Sequence, residues 1–182
     1  MRLSLYEFQT GAETIGGHRV VYDVANDAAY FGAALVAGHA LVWQLDDTLE
    51  EAEGALVSRR IQLDLYADWV VRCDRIDFPP GGIAYRHTHP GPGIRYLLHG
   101  SLDVHVDDRA TSYGRGGAWF EAGPDPVLAS ASQHQPTAFV RVLILPAEWA
   151  GKRTIRYVDA ADDDRPRLQK PTVYFEQPLI LT

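Results

Sequence analysis

The chain has 182 residues, 46% of them hydrophobic and 23% charged, which is enough for one domain with a buried core and an ordinary globular composition. Its formal net charge of −7, with no basic face to neutralise phosphates, argues against nucleic acid as a partner. The single cysteine, Cys73, excludes an intramolecular disulfide, fits a reducing compartment and reads as a small buried apolar residue.

The opening MRLSLYEFQT has no sustained apolar core before Glu7, so no secretion signal is expected. The uncharged run 28–45 is dominated by Ala and Gly and carries His39 and Gln44, which suits a membrane span poorly. The expectation is a soluble, cytoplasmic protein without membrane contact. Between His18 and Leu45 the runs HRVVYDV, YFGAALV and HALVWQL are separated by Asn26-Asp27 and Gly38, and read as strands of a meander. The Ala-rich middle run is also compatible with helix. Residues 46–56, DDTLEEAEGAL, start with N-cap types and place acids in the first turn, so they predict a short helix weakened by Gly54.

Beyond Ser58 the strand signal strengthens. Ile61, Leu63 and Leu65 alternate with Gln62 and Asp64, and apolar and charged residues alternate again through Phe78. Pro79-Pro80-Gly81-Gly82 is a firm break. After it come short apolar runs around Ile94 to Leu98, Leu102 to Val106, Ala118 to Glu121 and Phe139 to Leu145, divided by turns rich in Gly and Pro. Short strands at this spacing indicate an all-β antiparallel sandwich or barrel. In the tail, TVYFEQPLIL is apolar enough to be an added strand that either caps its own sheet or crosses to a second subunit, making a homodimer. Three segments result: N-terminal strands over 1–69, a barrel over 70–146, and a C-terminal arm over 147–182.

The stretch 81–100, GGIAYRHTHPGPGIRYLLHG, carries the chemistry. On a strand His87 and His89 share a face while Thr88 turns away, and two imidazoles about 7 Å apart along the backbone can converge on one divalent metal. Gly81, His87, His89 and Gly100 fall on the first signature of the cupin superfamily, which this stretch resembles. GGAWFEAGPDP, within 116–127, echoes the framing of the second signature. The resemblance covers roughly 70–146 and implies a cupin-type antiparallel jelly-roll β-barrel there, to which the patterns outside it add N- and C-terminal strands and a short helix.

The resemblance also implies a metal site of three histidines and a glutamate, and here the chain departs from it. The glutamate position is Gly93 and the third histidine position is Val127. Glycine in place of that glutamate is shared with the thiol dioxygenases of the superfamily, which keep the third histidine.

A usable site needs another donor besides His87 and His89. Glu121, in the strand leading to the second signature, is the preferred candidate, with His134, His99 and His105 as further options. Strand alternation places Gly93, Arg95 and Leu97 on one face, which the resemblance implies is the inward one if the signature's glutamate position points into the barrel. A buried Arg95 then needs a partner, either an anionic group of a substrate or Glu121 itself. Tyr85, expected on the face of His87 and His89, is a candidate hydroxyl donor or a packing residue. The sequence points to a metalloprotein with one divalent transition metal (Fe, Mn, Ni or Zn) that binds or transforms a small organic acid. Oxygenase, isomerase and lyase chemistry are unresolved. The alternatives are a non-catalytic ligand-binding or sensing barrel whose metal site has decayed, and a thiol dioxygenase-like enzyme.

Overall fold

A computed structural model describes residues 1–181. The first five strands are β1 (Arg2–Phe8), β2 (Ala12–Asp23), β3 (Ala28–Val36), β4 (Ala40–Asp46) and β5 (Val57–Arg60). They form one sheet in the order β3-β2-β4-β1-β5. The next eight are β6 (Trp69–Phe78), β7 (Ile83–Thr88), β8 (Gly93–His99), β9 (Ser101–Val106), β10 (Arg109–Gly114), β11 (Ala118–Glu121), β12 (Val127–Ala131) and β13 (Thr137–Pro146). Two more follow, β14 (Arg156–Tyr157) and β15 (Lys170–Leu179).

The eight middle strands pair in a nested way: β6 with β13, β7 with β12, β8 with β11 and β9 with β10, all antiparallel. Chain order therefore alternates between two facing sheets, β11-β8-β13-β6 and β10-β9-β12-β7, each extended by one tail strand. Such a wound double hairpin is a jelly roll, the architecture the sequence resemblance implied. Among the described residues the helical pieces are 3₁₀ turns at Ala147–Trp149 and Ala160–Asp164, and no helix is long and apolar enough to cross a membrane.

Period-two alternation gives the β6-β8-β13 sheet two buried faces. Val71, Cys73, Ile94, Tyr96, Val140, Val142 and Ile144 face outward and pack against Leu3, Leu5, Tyr22, Leu41 and Trp43 of the N-terminal sheet. The Trp43 indole N–H donates to the Ile94 carbonyl at 3.1 Å, tying the layers together. The other face looks into the barrel, where Ile76, Phe78, Leu97 and Phe139 meet Ala84, Leu102, Val104 and Trp119 in a second apolar cluster.

Three local expectations differ from what forms, and one left open is decided. Residues 46–56 are not helical: Leu49 is 73% exposed and Gly54 has φ +75°, so a helix there would have no apolar face to bury. Instead Leu56 N–H donates to the Leu5 carbonyl at 2.8 Å and leads into β5. The N-terminal strands are not a meander, because β4 inserts between β2 and β1 and leaves β3 at the edge. The alternating residues 61–65 form no strand; Ile61 N–H bonds to the Met1 carbonyl at 2.9 Å and Leu65 stays exposed. In the tail, β15 caps its own sheet by pairing with β6 of the same chain.

Candidate functional site

His87 is the penultimate residue of β7 and His89 follows the strand's end; both are buried, at 4% and 5% exposure. His87 Nδ1 lies 2.6 Å from the Tyr85 carbonyl, and His89 Nδ1 lies 2.9 Å from the Thr154 carbonyl. A carbonyl only accepts, so each Nδ1 carries the hydrogen and donates it. In the neutral ring Nε2 is then a bare acceptor. Burial pushes the His87 pKa down, against the pull of the Tyr85 bond and of the Glu121 charge. His89 is pushed well below its usual value by burial, then by the nearby Arg141 and Arg95 charges and by His87.

Both rings are therefore neutral near pH 7, yet their Nε2 atoms face each other at 3.2 Å. Two lone pairs cannot satisfy one another. Glu121 adds a third acceptor, with Oε2 3.4 Å from His89 Nε2. What such a cluster lacks is positive charge at its centre, from a proton or a cation.

Glu121 arrives from the neighbouring strand. It sits directly across from Gly93 in the β11–β8 pairing, so a carboxylate stands beside the position where the cupin signature would place one. A side chain at 93 has no room, since a Cβ there would lie 2.5 Å from the Val142 carbonyl oxygen and 3.2 Å from the Arg95 guanidinium. Arg95 fills that space, with NH1 donating to the Gly93 carbonyl at 2.7 Å and NH2 2.7 Å from Glu121 Oε2. The latter contact is close but misaligned; it is a charge contact and leaves both atoms without a true hydrogen bond. Burial pulls the Arg95 pKa down to about 10, with the Glu121 charge opposing, so the group stays charged at neutral pH. The other oxygen of Glu121 accepts from the Trp119 indole at 2.8 Å. Across from His87 stands Val127, the position of the missing histidine. Among the described residues no group of three or more His, Cys, Asp or Glu side chains is arranged as a ready metal cage; the third member here is turned toward Arg95.

Beside this group lies a second charged set that sequence reasoning did not single out. Asp74, fully buried, takes two bonds from Arg141, at 2.6 Å and 3.1 Å, and lies 3.1 Å from Arg72 Nε. Arg72 also meets Glu176 at 3.1 Å. Arg141 reaches the Thr154 hydroxyl at 3.2 Å, and Arg72 the Lys152 carbonyl at 2.8 Å, which binds the segment after Trp149 across the barrel. Three guanidinium groups thus face three carboxylates, a balance that burial requires. The signal was present: Arg141 interrupts the apolar run AFVRVLIL, and Arg72 and Asp74 occupy the inward positions of β6. A charge inside an otherwise apolar strand is uncommon unless it is paired.

Tyr85 is not brought to the site. Ala84 pairs with Ala129 and His87 with Val127, so a bulge between them breaks the alternation that would have set Tyr85 beside His87. Its ring instead lies 4.6 Å beneath the Arg165 guanidinium, and only its carbonyl contacts His87. His99 bonds to the Pro136 carbonyl at the barrel's end, His134 is in an exposed loop, and neither they nor His105 lines the cavity. That cavity, about 330 Å³, is walled by the imidazole pair, Glu121, the three arginines and apolar side chains of both sheets.

No protein-family model matches the chain, and no curated protein is similar to it in sequence. Solved structures similar to part of it include the polyketide cyclase RemF from Streptomyces resistomycificus, at 22% identity and TM-score 0.41 over 53% of this chain and 65% of that one. A cupin 2 domain-containing protein from Halorhodospira halophila matches at 17% and 0.42 over 50% and 61%. An RmlC-like cupin from Shewanella frigidimarina matches at 14% and 0.39 over 50% and 94%. The chain spans about two thirds or less of the first two structures.

Proposed function

We propose that the barrel binds a small organic acid and holds one divalent transition metal on His87 and His89, with Glu121 as third donor. The observation that carries this reading is the pair of unprotonated Nε2 atoms at 3.2 Å. The donors suit a borderline metal, and separations of 3.2 Å and 3.4 Å are those of atoms each about 2.0–2.2 Å from one ion. A bound metal would supply Lewis-acid polarisation or a site for dioxygen.

The chain's own groups do the rest. The Tyr85 and Thr154 carbonyls hold each imidazole by Nδ1 and aim Nε2 inward. Arg95 and Trp119 hold the Glu121 carboxylate in place, and Arg95 offsets its charge. The apolar wall keeps water from the ligand.

A second reading, a ligand-binding barrel without metal, is favoured by Val127 beside His87 and by the hold of Arg95 on Glu121. Elemental analysis of protein purified without chelator separates the two. The first reading expects about one equivalent of Fe, Mn, Ni or Zn, lost in His87→Ala. Less than about a tenth of an equivalent, unchanged in that variant, would establish the second.

A further inference from the structure

The charges of the cavity are not spread evenly, and the difference fixes which way round an acid can sit. We infer that the ligand is an amphipathic monoanion with an aromatic or similarly bulky apolar body, bound with the body inward and the acid group at the rim. The inference refines the organic-acid reading above and is argued from the chain's own charges; a divalent ion on His87 and His89 would add a deep cation that opposes it.

The deep guanidinium groups have no charge to spare. Arg95 faces Glu121, Arg141 is held by both oxygens of Asp74, and Arg72 lies between Asp74 and Glu176. A carboxylate brought to this level would lose its water without meeting an unpaired cation, and would approach the carboxylates already there. The apolar part of the buried wall, beside them, consists of Ile76, Phe78, Ala84, Val127, Ala129 and Phe139. It offers no side-chain polar atom and suits a flat apolar body.

The rim is different. Lys152, Arg153 and Arg167 line the cavity from exposed positions. Among the described residues neither Lys152 nor Arg153 has an acidic partner; Arg153 stacks 4.9 Å over Tyr157, and Arg167 reaches exposed Asp163 only at 3.5 Å. Among the described residues Glu121 is the sole acidic side chain on the cavity wall, and it is held beside buried Arg95. In a chain of net charge −7, three cations gathered at one opening form a local attractor for an anionic head.

Titration calorimetry on the full chain after chelation tests this, with metal content measured on the protein as purified. The probes are 2-naphthoate, benzoate, 2-naphthylmethanol and citrate. The expected order has 2-naphthoate about tenfold tighter than benzoate, from the extra ring buried. It should also be about two- to fivefold tighter than its neutral alcohol for each rim charge engaged, with citrate not binding. Lys152→Gln/Arg153→Gln, both exposed positions that should leave the melting temperature unchanged, should bring naphthoate to within about two- to fivefold of the alcohol, the share left to Arg167, and leave the alcohol unaffected. Citrate binding more tightly than naphthoate, alcohol equal to acid, no binding of any probe, or indifference to the double substitution would each overturn the inference. Because metal content is read separately, a sample with about one equivalent that fails here loses the ligand orientation and keeps the metal site. A sample metal-free as purified that passes does the reverse.

Discussion

The β6-β8-β13 sheet has two faces one residue apart, and they are built on opposite principles. Cys73, Ile94, Val140 and Val142 meet the N-terminal sheet in a dry apolar layer. Arg72, Asp74, Arg95 and Arg141, their immediate neighbours in sequence, carry a charged layer into the barrel. The apolar face is held by shape and tolerates chemistry poorly. Its fully buried thiol, Cys73, has its pKa raised by burial and by the adjacent Asp74 charge, so it is inert. The charged face is balanced pair by pair, and its cost in desolvation is sustained because the packed layer behind it keeps the strands in register. One sheet can therefore hold a structural core and a reactive lining, provided neither face has to serve as the other.

Removing Trp43 should break the apolar side most severely. Trp43→Ala empties the largest fully buried side chain and abandons the bond to Ile94, for an expected loss of about 4 kcal/mol in denaturant unfolding. The metal and ligand measurements on the surviving folded fraction should match wild type. Asp74→Asn should cost somewhat less, about 3 kcal/mol, by leaving Arg141 and Arg72 short of charge in a buried site. It should also disturb ligand binding, because Arg141 and Arg72 are cavity walls. Equal effects of the two substitutions on binding would erase the division between the faces.

The smallest effect is expected at the sheet's outer margin, in the β2–β3 turn. Asp27 accepts from Tyr22 at 2.5 Å and from Tyr174, and meets Arg75 at 3.2 Å, with Asp77 and His99 also around that arginine. Burial alone would raise the Asp27 pKa, but the tyrosine bonds and the Arg75 charge together lower it. A carboxylate with a lowered folded pKa stabilises above its unfolded value of about 3.9 and loses that contribution as pH falls through the folded pKa. Asp27→Asn suits the left-handed backbone there (φ 49°) and should lower the melting temperature slightly at pH 7. The gap from wild type should narrow as pH falls below the unfolded value and close once it has passed the lowered folded pKa; a gap independent of pH would show that charge plays no part at this junction.

The fold was legible because alternation, Gly-Pro turns and the spacing of His87 and His89 are local signals. Each reports which residues sit on a face before any partner is known. Counting by two put Arg95 on the face of Gly93, and the resemblance supplied that this face is inward and that Glu121 lies in the strand leading to the second signature. Counting failed at Tyr85 because a bulge adds a residue, and a bulge depends on the partner strand. It also failed over 46–56, where cap residues promised a helix that had nothing apolar to bury.

By itself the amino-acid sequence determined an all-β antiparallel sandwich or barrel with two imidazoles on one strand face, because side-chain period and turn chemistry act within a few residues; the jelly roll was what the resemblance implied. The tertiary structure alone decided that Glu121 stands across from Gly93, that Arg95 takes the space left there, and that Asp74 serves two arginines. Those pairings join strands up to 67 residues apart, as between Asp74 and Arg141. Burial makes each such charge depend on a partner that no local pattern names.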